Sequence, residues 1–217
     1  MRLFRLPNRV AGLLFDMDMT LYRHEDYYRS QIKNQVVLLA QQLQKDPEAL
    51  EHELKIWQKK WSSQHEGRQP SFGNTLLGAL GIPIEQSVLL RRQAIRPQDY
   101  LSPDAELREV LLKLAQKFQI ALVTNNPSDI AEITLDALGV ADLFSHIIGL
   151  DQAGESKPAP AAFRLGLEAL GCPANQAVSI GDRYEVDLEV PLSWGCGGIL
   201  VESMKDVYEL PRVLEGG

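Results

Sequence analysis

Two aspartates, Asp16 and Asp18, stand two positions apart directly after the apolar run of residues 10–15. Carboxylates held this close repel one another, so such a pair either raises a pKa or requires a cation. An isolated pair of this kind is most often a solvated loop with a helix-capping aspartate, because short motifs match by chance. A chemical role for the pair therefore depends on what accompanies it along the chain.

Three further polar clusters follow, each near the end of a predicted strand or the start of a predicted helix. They are Thr124 with Asn125 after residues 119–123, Lys157 within the sequence SKP, and Gly181 with Asp182 after residues 177–180, followed by Asp187. Taken singly, these are ordinary turn, cap and surface residues. A threonine hydroxyl at a strand end can also hydrogen-bond a phosphoryl oxygen, so the clusters become informative if they meet.

The fold predicted from the alternation of short apolar runs with helical patterns indicates where the polar clusters lie relative to one another. Besides the three runs already named, weaker strand candidates lie at residues 146–150 and 198–201, and helices are predicted from Pro103, from Asn126 to about Gly139, and over residues 160–170. This alternation is typical of a doubly wound α/β fold with a parallel sheet. Ligands of such sheets bind beyond the carboxyl ends of the strands, where all the clusters are placed.

Residues 22–98 do not share the alternation and predict an all-helical insert. Its expected helices cover residues 26–44, 47–61, 73–80 and 84–95, and Arg91 and Arg92 on the last of them are expected on a solvent-exposed face. We therefore divide the chain into a core domain, residues 1–21 and 99–217, and a helical cap domain, residues 22–98. Tyr22 and Tyr28 follow the first aspartates closely and are candidates for the entrance between the two.

Composition limits the class of protein. The chain of 217 residues is 45% hydrophobic and 24% charged with a net charge of −7, which is typical of a globular protein and unfavourable for nucleic-acid binding. Cys172 and Cys196 lack metal-binding spacing and are expected to be reduced thiols. No signal peptide or membrane-spanning run is evident, so we expect a cytoplasmic protein with no membrane partner.

The four polar clusters together resemble the haloacid dehalogenase-like (HAD) superfamily. The segments that carry the resemblance are DMDMT, LVTNN, SKP and GDRYEVD, in this order. The resemblance spans about residues 10–201 and implies a Rossmann-like core with a type 1 helical cap, of the phosphatase branch. It implies a small phosphorylated substrate, such as a nucleoside monophosphate, a sugar phosphate or phosphoglycolate, and a monomer or homodimer.

The resemblance also assigns roles to individual residues. Asp16 would be the nucleophile that forms an aspartyl-phosphate, and Asp18 would be the general acid and base. The remaining roles are phosphate binding by Thr124, Asn125 and Lys157, Mg²⁺ binding by Asp16, Asp182 and the backbone carbonyl of Asp18, and support by Thr20 and Asp187. Mg²⁺ is the implied cofactor, because it prefers oxygen ligands and a pocket of aspartates needs a cation to admit phosphate.

Three other functions are compatible with this pattern. A phosphomutase uses the same two aspartates, and sequence separates it poorly from a phosphatase. A 2-haloacid dehalogenase forms no leaving alkoxide and needs no acid at the position of Asp18, so Asp18 disfavours it. A non-catalytic binding module is disfavoured because every catalytic position is filled.

Met19 and Arg183 depart from the residues most common at their positions, and Arg183 is expected at the surface.

Overall fold

The computed structural model of the chain describes residues 1–215 and is built around one six-stranded sheet. The strands are β1 (Arg2–Phe4), β2 (Gly12–Phe15), β3 (Gln119–Val123), β4 (His146–Ile148), β5 (Ala177–Gly181) and β6 (Gly197–Leu200). Their order across the sheet is β1-β6-β5-β2-β3-β4. All neighbours are parallel except β1, which runs antiparallel to β6.

Helices connect the strands and pack on both faces of the sheet. They are α1 (Glu25–Leu43), α2 (Pro47–Gln64), α3 (Phe72–Leu80), α4 (Ile84–Ala94), α5 (Ala105–Ala115), α6 (Ser128–Ala137), α7 (Leu150–Ala153), α8 (Ala161–Leu170), α9 (Glu189–Ser193), α10 (Met204–Tyr208) and α11 (Leu210–Glu215). Among residues 1–215, no helix is both long enough and apolar enough to cross a bilayer.

The central strand β2 contributes side chains to the hydrophobic clusters on both faces of the sheet. Its side chains alternate, so Leu13 and Phe15 join the cluster that includes Leu107 and Leu111 of α5. Leu14 joins the opposite cluster, which includes Phe163 of α8, together with Ala162 and Val123. Helices therefore cover both faces of a mostly parallel sheet, which confirms the predicted α/β fold class.

The strand order places three carboxyl ends side by side. Phe15, the last residue of β2, is in register with Leu122 of β3 on one side and Ile180 of β5 on the other. The chain leaves β2 toward β3 and β4, then returns past it to β5 and β6, so the direction of winding reverses at β2. A crevice forms at such a reversal, beyond the strand ends.

Helices α1 to α4 form the insert between β2 and β3. They share a core of their own, whose buried members are Val36, Leu39, Ala40, Leu50, Leu54, Leu76, Ile82 and Leu90. Asp46 and Ser71 begin α2 and α3 by accepting hydrogen bonds from Ala49 N (2.8 Å) and Asn74 N (3.1 Å). The four helices match the prediction within one turn at each end. The cap boundaries at residues 22 and 98 stay a prediction.

Two local features differ from the sequence-based expectations. The prediction that Pro103 occupies the first helical position of α5 is wrong, because Asp104 caps the helix instead and accepts a hydrogen bond from Leu107 N at 2.9 Å. The edge strand β1 was not expected, since three residues give too short a pattern. It pairs with β6 from Arg2 opposite Leu200 to Phe4 opposite Gly198.

Candidate active site

Asp16 lies at the centre of the crevice, one residue beyond β2. Its backbone N–H donates to Ile180 O at 2.9 Å, which holds its backbone against the end of β5. The carboxylate is 6% exposed, and each of its oxygens has a partner. Thr20 Oγ1 donates to Oδ2 at 2.9 Å, and Lys157 Nζ donates to Oδ1 at 2.6 Å. The side chain of the predicted nucleophile is therefore fixed before any ligand binds.

The ammonium of Lys157 links residues at or after the ends of β2, β3 and β5. Its buried ammonium donates to Asp16, to Val123 O at 2.9 Å and to Asp187 Oδ1 at 2.8 Å. Asn125 holds the loop that carries it, because Asn125 Oδ1 accepts a hydrogen bond from Lys157 N at 2.7 Å. The predicted phosphate-binding residues Asn125 and Lys157 are thus in direct contact.

Three carboxylates form a compact group suited to a cation. Asp16, Asp182 and Asp187 each place an oxygen within 4.8 Å of the others. Asp182 Oδ1 is buried and has no hydrogen-bond partner among residues 1–215, although Arg183 Nε lies 3.8 Å away. An orphaned carboxylate oxygen beside two further carboxylates fits a hard cation such as Mg²⁺. The backbone allows the cluster because residue 181 is glycine, where a β-carbon would overlap the side chain of Asp187.

Burial and mutual repulsion shift the titration of this group. Burial raises the pKa of Asp16 to about 7, with a further contribution from the charge of Asp187. Burial and Asp187 likewise raise the pKa of Asp182 to about 6. For Lys157, burial acts to lower the pKa, but the charges of Asp16 and Asp187 outweigh burial and raise it. The ammonium therefore remains charged and offsets part of the negative charge of the pocket.

Asp18 points to a separate network of neutral donors. Asn126 Nδ2 donates to Asp18 Oδ2 at 2.9 Å, and Gln31 Nε2 donates to Oδ1 at 2.8 Å. The Tyr22 hydroxyl donates to the same Oδ1. Gln31 comes from α1 of the cap, so the predicted general acid is held jointly by core and cap. Asp16 and Asp18 line one cavity of about 230 Å³.

Thr124 follows β3 beside this network. It is almost fully buried, and its Oγ1 accepts a hydrogen bond from Asn126 N at 3.1 Å. Thr124 N in turn donates to Ile148 O at 3.0 Å, which continues the pairing of β3 with β4. The hydroxyl thus stabilises the turn of the chain at the end of β3.

Arg91 contradicts the sequence-based expectation. It was expected on an exposed face of α4, yet it is 4% exposed and lines the cavity. The next residue, Arg92, is exposed as expected and forms ion pairs with Asp129 (2.8 Å) and Asp151 (3.3 Å). Arg183 is also exposed as expected, although it lies at the cavity wall.

The sequence pattern missed Gln31 and Asn126, two residues that hold Asp18. Asn126 directly follows the predicted Thr124-Asn125 pair, so a third polar residue after the strand was an available signal. Gln31 lies among alternating polar residues of α1, and no spacing distinguishes it from them.

Met19 adopts a left-handed backbone with φ of +62°. A glycine tolerates this conformation without strain, so the loop accommodates a side chain at some cost.

Comparisons with known proteins agree with this arrangement. A family model for haloacid dehalogenase-like hydrolases matches residues 10–191. A phosphoglycolate phosphatase of Pectobacterium atrosepticum is 36% identical over 95 residues, which are 43% of this chain and 40% of the relative. A phosphoglycolate phosphatase of Neisseria gonorrhoeae is 31% identical over 120 residues, 52% of this chain and 50% of the relative. The chain thus spans half or less of the length of these relatives.

The fold has a close counterpart among solved structures. A HAD phosphatase from Thermococcus onnurineus superposes with a TM-score of 0.64 at 21% identity, over 95% of this chain and 99% of that one. At this identity the likeness concerns the fold alone. The matched family model covers most of the chain and confirms the superfamily inferred from the four polar clusters. The chain belongs to the haloacid dehalogenase-like hydrolase family.

Proposed function

We propose that the protein is a Mg²⁺-dependent phosphomonoesterase that hydrolyses a small phosphorylated metabolite through an aspartyl-phosphate. The observation that carries the proposal is Asp16, held between Thr20 and Lys157 at the centre of the sheet. The phosphatase names of the partial relatives support the same reaction class. The family match supports a hydrolase.

In the proposed reaction, an oxygen of Asp16 attacks phosphorus while the bond from phosphorus to the leaving oxygen breaks. Asp18 gives its proton to that leaving oxygen, which departs as an alcohol. Asp18 then takes a proton from water as the water attacks the aspartyl-phosphate. This second step releases phosphate and restores both carboxyl groups, so that one difficult displacement becomes two easier ones.

The surrounding residues position and stabilise these groups. Lys157, Thr124 and the backbone amide of Asn125 would bind the equatorial phosphoryl oxygens, where negative charge concentrates. Asp187 and Thr20 hold Lys157 and Asp16 in place. Gln31 of the cap and Asn126 of the core hold Asp18 at the cavity.

Mg²⁺ would be held by Asp16, Asp182 and the backbone carbonyl of Asp18. The buried, unpartnered oxygen of Asp182 supports this assignment. When bound, the ion neutralises part of the charge of the aspartates, so that a phosphate ester can enter and its charge is stabilised during transfer.

Release of inorganic phosphate from a panel of phosphorylated metabolites and an aryl phosphate tests the proposal. We expect turnover with Mg²⁺ and without any added sugar bisphosphate. A phosphomutase would instead isomerise a sugar phosphate and depend on the bisphosphate. The absence of phosphate release from the whole panel and from the aryl phosphate would contradict the proposal.

A further inference from the structure

Arg91 of α4 is a buried cation inside the cap. Its guanidinium donates from Nη1 to Gln35 Oε1 at 3.3 Å and to Ser87 Oγ. Both acceptors are neutral, and both belong to the cap. Within residues 1–215, these are its hydrogen bonds, so the N–H groups of Nε and Nη2 are left for another partner. A guanidinium offers five N–H donors in a planar fork.

Arg91 has no direct ion-pair partner in the described part of the chain, although the carboxylate of Asp18 acts on its charge. None of the ion pairs formed by residues 1–215 includes it, whereas the exposed Arg92 beside it has two acidic partners. Burial lowers the pKa of Arg91 to about 10, so the side chain remains charged at neutral pH. Buried charges are costly unless they are paired. The unused N–H groups of Arg91 therefore offer a binding site for an anionic group of a ligand.

The position of Arg91 limits where that anion lies. Arg91 and Asp16 line the same cavity of about 230 Å³. Much of the remaining wall is neutral amide, contributed by Gln31, Gln35 and Gln58 among others. The carboxylate of Asp18 also faces the cavity, but its oxygens already accept hydrogen bonds from Asn126, Gln31 and Tyr22. An anion bound at Arg91 would thus belong to the molecule whose phosphate reaches Asp16.

We propose that Arg91 binds a carboxylate of the substrate, so that the substrate is a small phosphate ester carrying a carboxylate group. The inference rests on the proposed phosphatase function and names the substrate class of that site. A planar guanidinium fork matches a planar carboxylate, and one buried positive charge matches one negative charge better than a second phosphate dianion. The small cavity favours a short molecule.

Selectivity against neutral analogues follows from this assignment. A site built around a buried polar partner rejects a ligand that leaves the partner unpaired, and discrimination of roughly 10²-fold or more is expected. Hydrophobic walls alone would discriminate far less. The ratio of kcat/KM for an acid to kcat/KM for its amide therefore measures the selectivity of the site, and its change when Arg91 is replaced measures the contribution of Arg91.

The experiment compares 2-phosphoglycolate with its amide and with an alkyl bisphosphate of similar length, at saturating Mg²⁺. An aryl phosphate is the independent measure of phosphatase activity. The variants are Arg91→Met, which removes the charge, and Arg91→Lys, which keeps it without the planar fork. Arg29→Met is the matched control, because Arg29 is an exposed cap residue paired with Glu25, outside the cavity wall.

We expect the wild type and Arg29→Met to prefer the acid over the amide by roughly 10²-fold. In Arg91→Met this preference should fall toward one, and Arg91→Lys should recover part of it. Equal use of acid and amide by a wild type that hydrolyses the aryl phosphate overturns the inference and leaves the proposed function standing. A preference for the bisphosphate over the acid also overturns it. The wild-type ratio decides even if the Arg91 variants do not fold, and loss of all aryl phosphate hydrolysis in the wild type overturns both proposals.

Discussion

At the scale of single residues, the pocket is crowded with charge that the chain neutralises only in part. Among the described residues, Asp16 and Asp187 share the buried Lys157, and one carboxylate oxygen of the neighbouring Asp182 accepts no hydrogen bond. Burial, together with repulsion from Asp187, raises the pKa of Asp16 to about 7. Such crowding destabilises the folded protein without a ligand and is therefore a sign of a functional site.

Asp16→Asn should reduce the pH dependence of stability in the metal-free protein. Because the folded-state pKa of Asp16 is about 7 and the unfolded value is about 4, the folded state holds an extra proton between these values. Stability contributed by this group is present at low pH and is lost as pH rises through that window. The variant lacks this loss, so its melting temperature should fall less between about pH 5 and about pH 8 than that of the wild type.

Thermal melts in the presence of a chelator measure this difference. Asp136→Asn is the control, since Asp136 is an exposed aspartate of α6. Asp16→Asn should also be as stable as the wild type, or more so, at about pH 8. A drop in melting temperature identical to that of the wild type would show that the pKa of Asp16 is not raised in the folded state.

Asp18→Asn should separate the two steps of the proposed reaction. The amide keeps the size of the carboxylate but cannot protonate a leaving alkoxide, so alkyl phosphate hydrolysis should fall ~10² to 10⁴-fold. Aryl phosphates need little protonation, so their first step should persist while breakdown of the aspartyl-phosphate slows. Rapid mixing should then show a burst of phenolate followed by slow turnover.

The matched control for this experiment is Asp26→Asn, a carboxylate-to-amide change on an exposed position of α1. It should show neither the burst nor the loss. If Asp18→Asn hydrolyses alkyl phosphates at the wild-type rate, the acid-base role is wrong, and a reaction without a leaving alkoxide becomes the better interpretation.

Some residues of the site were predictable from sequence and others were not. Asp16, Lys157 and Asp182 follow strands or precede a helix in a fixed order, and strand ends meet at one edge of the sheet. Arg91 and Gln31 lie on cap helices, where the face that turns toward the core depends on how α1 and α4 pack. An arginine next to another arginine suggests solvent, and only the packed structure places Arg91 inside.

At the scale of elements, the cap reaches the predicted chemical groups through particular contacts. Gln31 of α1 binds Asp18, and Arg91 of α4 lines the same cavity. Two exposed ion-pair groups also link the cap to the core: Arg68 with Glu189, and Arg92 with Asp129 and Asp151. Such exposed pairs contribute little energy, so the buried contact of Gln31 with Asp18 is the more important link between cap and core.

Exchange of residues 22–98 for another helical cap of the family should change the ranking of substrates. The core retains Asp16, Lys157 and Asp182, so aryl phosphate hydrolysis should remain, while the cavity wall and Arg91 are replaced. Initial rates over the metabolite panel, normalised to the aryl phosphate, measure the change. An unchanged ranking in a folded, active chimera would mean that the cap only covers the site.

Element prediction succeeded where apolar runs were continuous. Strands β2, β3 and β5 are buried on both faces, so their runs of Leu, Ile, Val and Ala were visible without alternation. The ends of strands were less predictable. The candidate strand of residues 146–150 stops at Ile148, because Leu150 already begins α7. The edge strand β1 depends on pairing with β6, nearly two hundred residues away, which no local pattern reports.

At the scale of the whole molecule, a chain with a net charge of −7 must attract an anionic ester. A cation within the aspartate group is the simplest means. Exhaustive chelation should therefore abolish hydrolysis of both alkyl and aryl phosphates, and added Mg²⁺ should restore it. Retention of circular dichroism after chelation is the control for unfolding. Undiminished turnover without divalent ions would contradict the metal requirement.

The most direct test of the account is to trap the phosphorylated enzyme. The Asp18→Asn variant is mixed with an aryl phosphate and Mg²⁺, quenched in acid during the slow phase, digested and analysed by mass spectrometry. We predict that the peptide containing Asp16 gains the mass of one phosphoryl group, and that Asp16→Asn gains none. A phosphoryl group on any other residue, or turnover by Asp16→Asn at the wild-type rate, would contradict the assignment of Asp16 as the nucleophile.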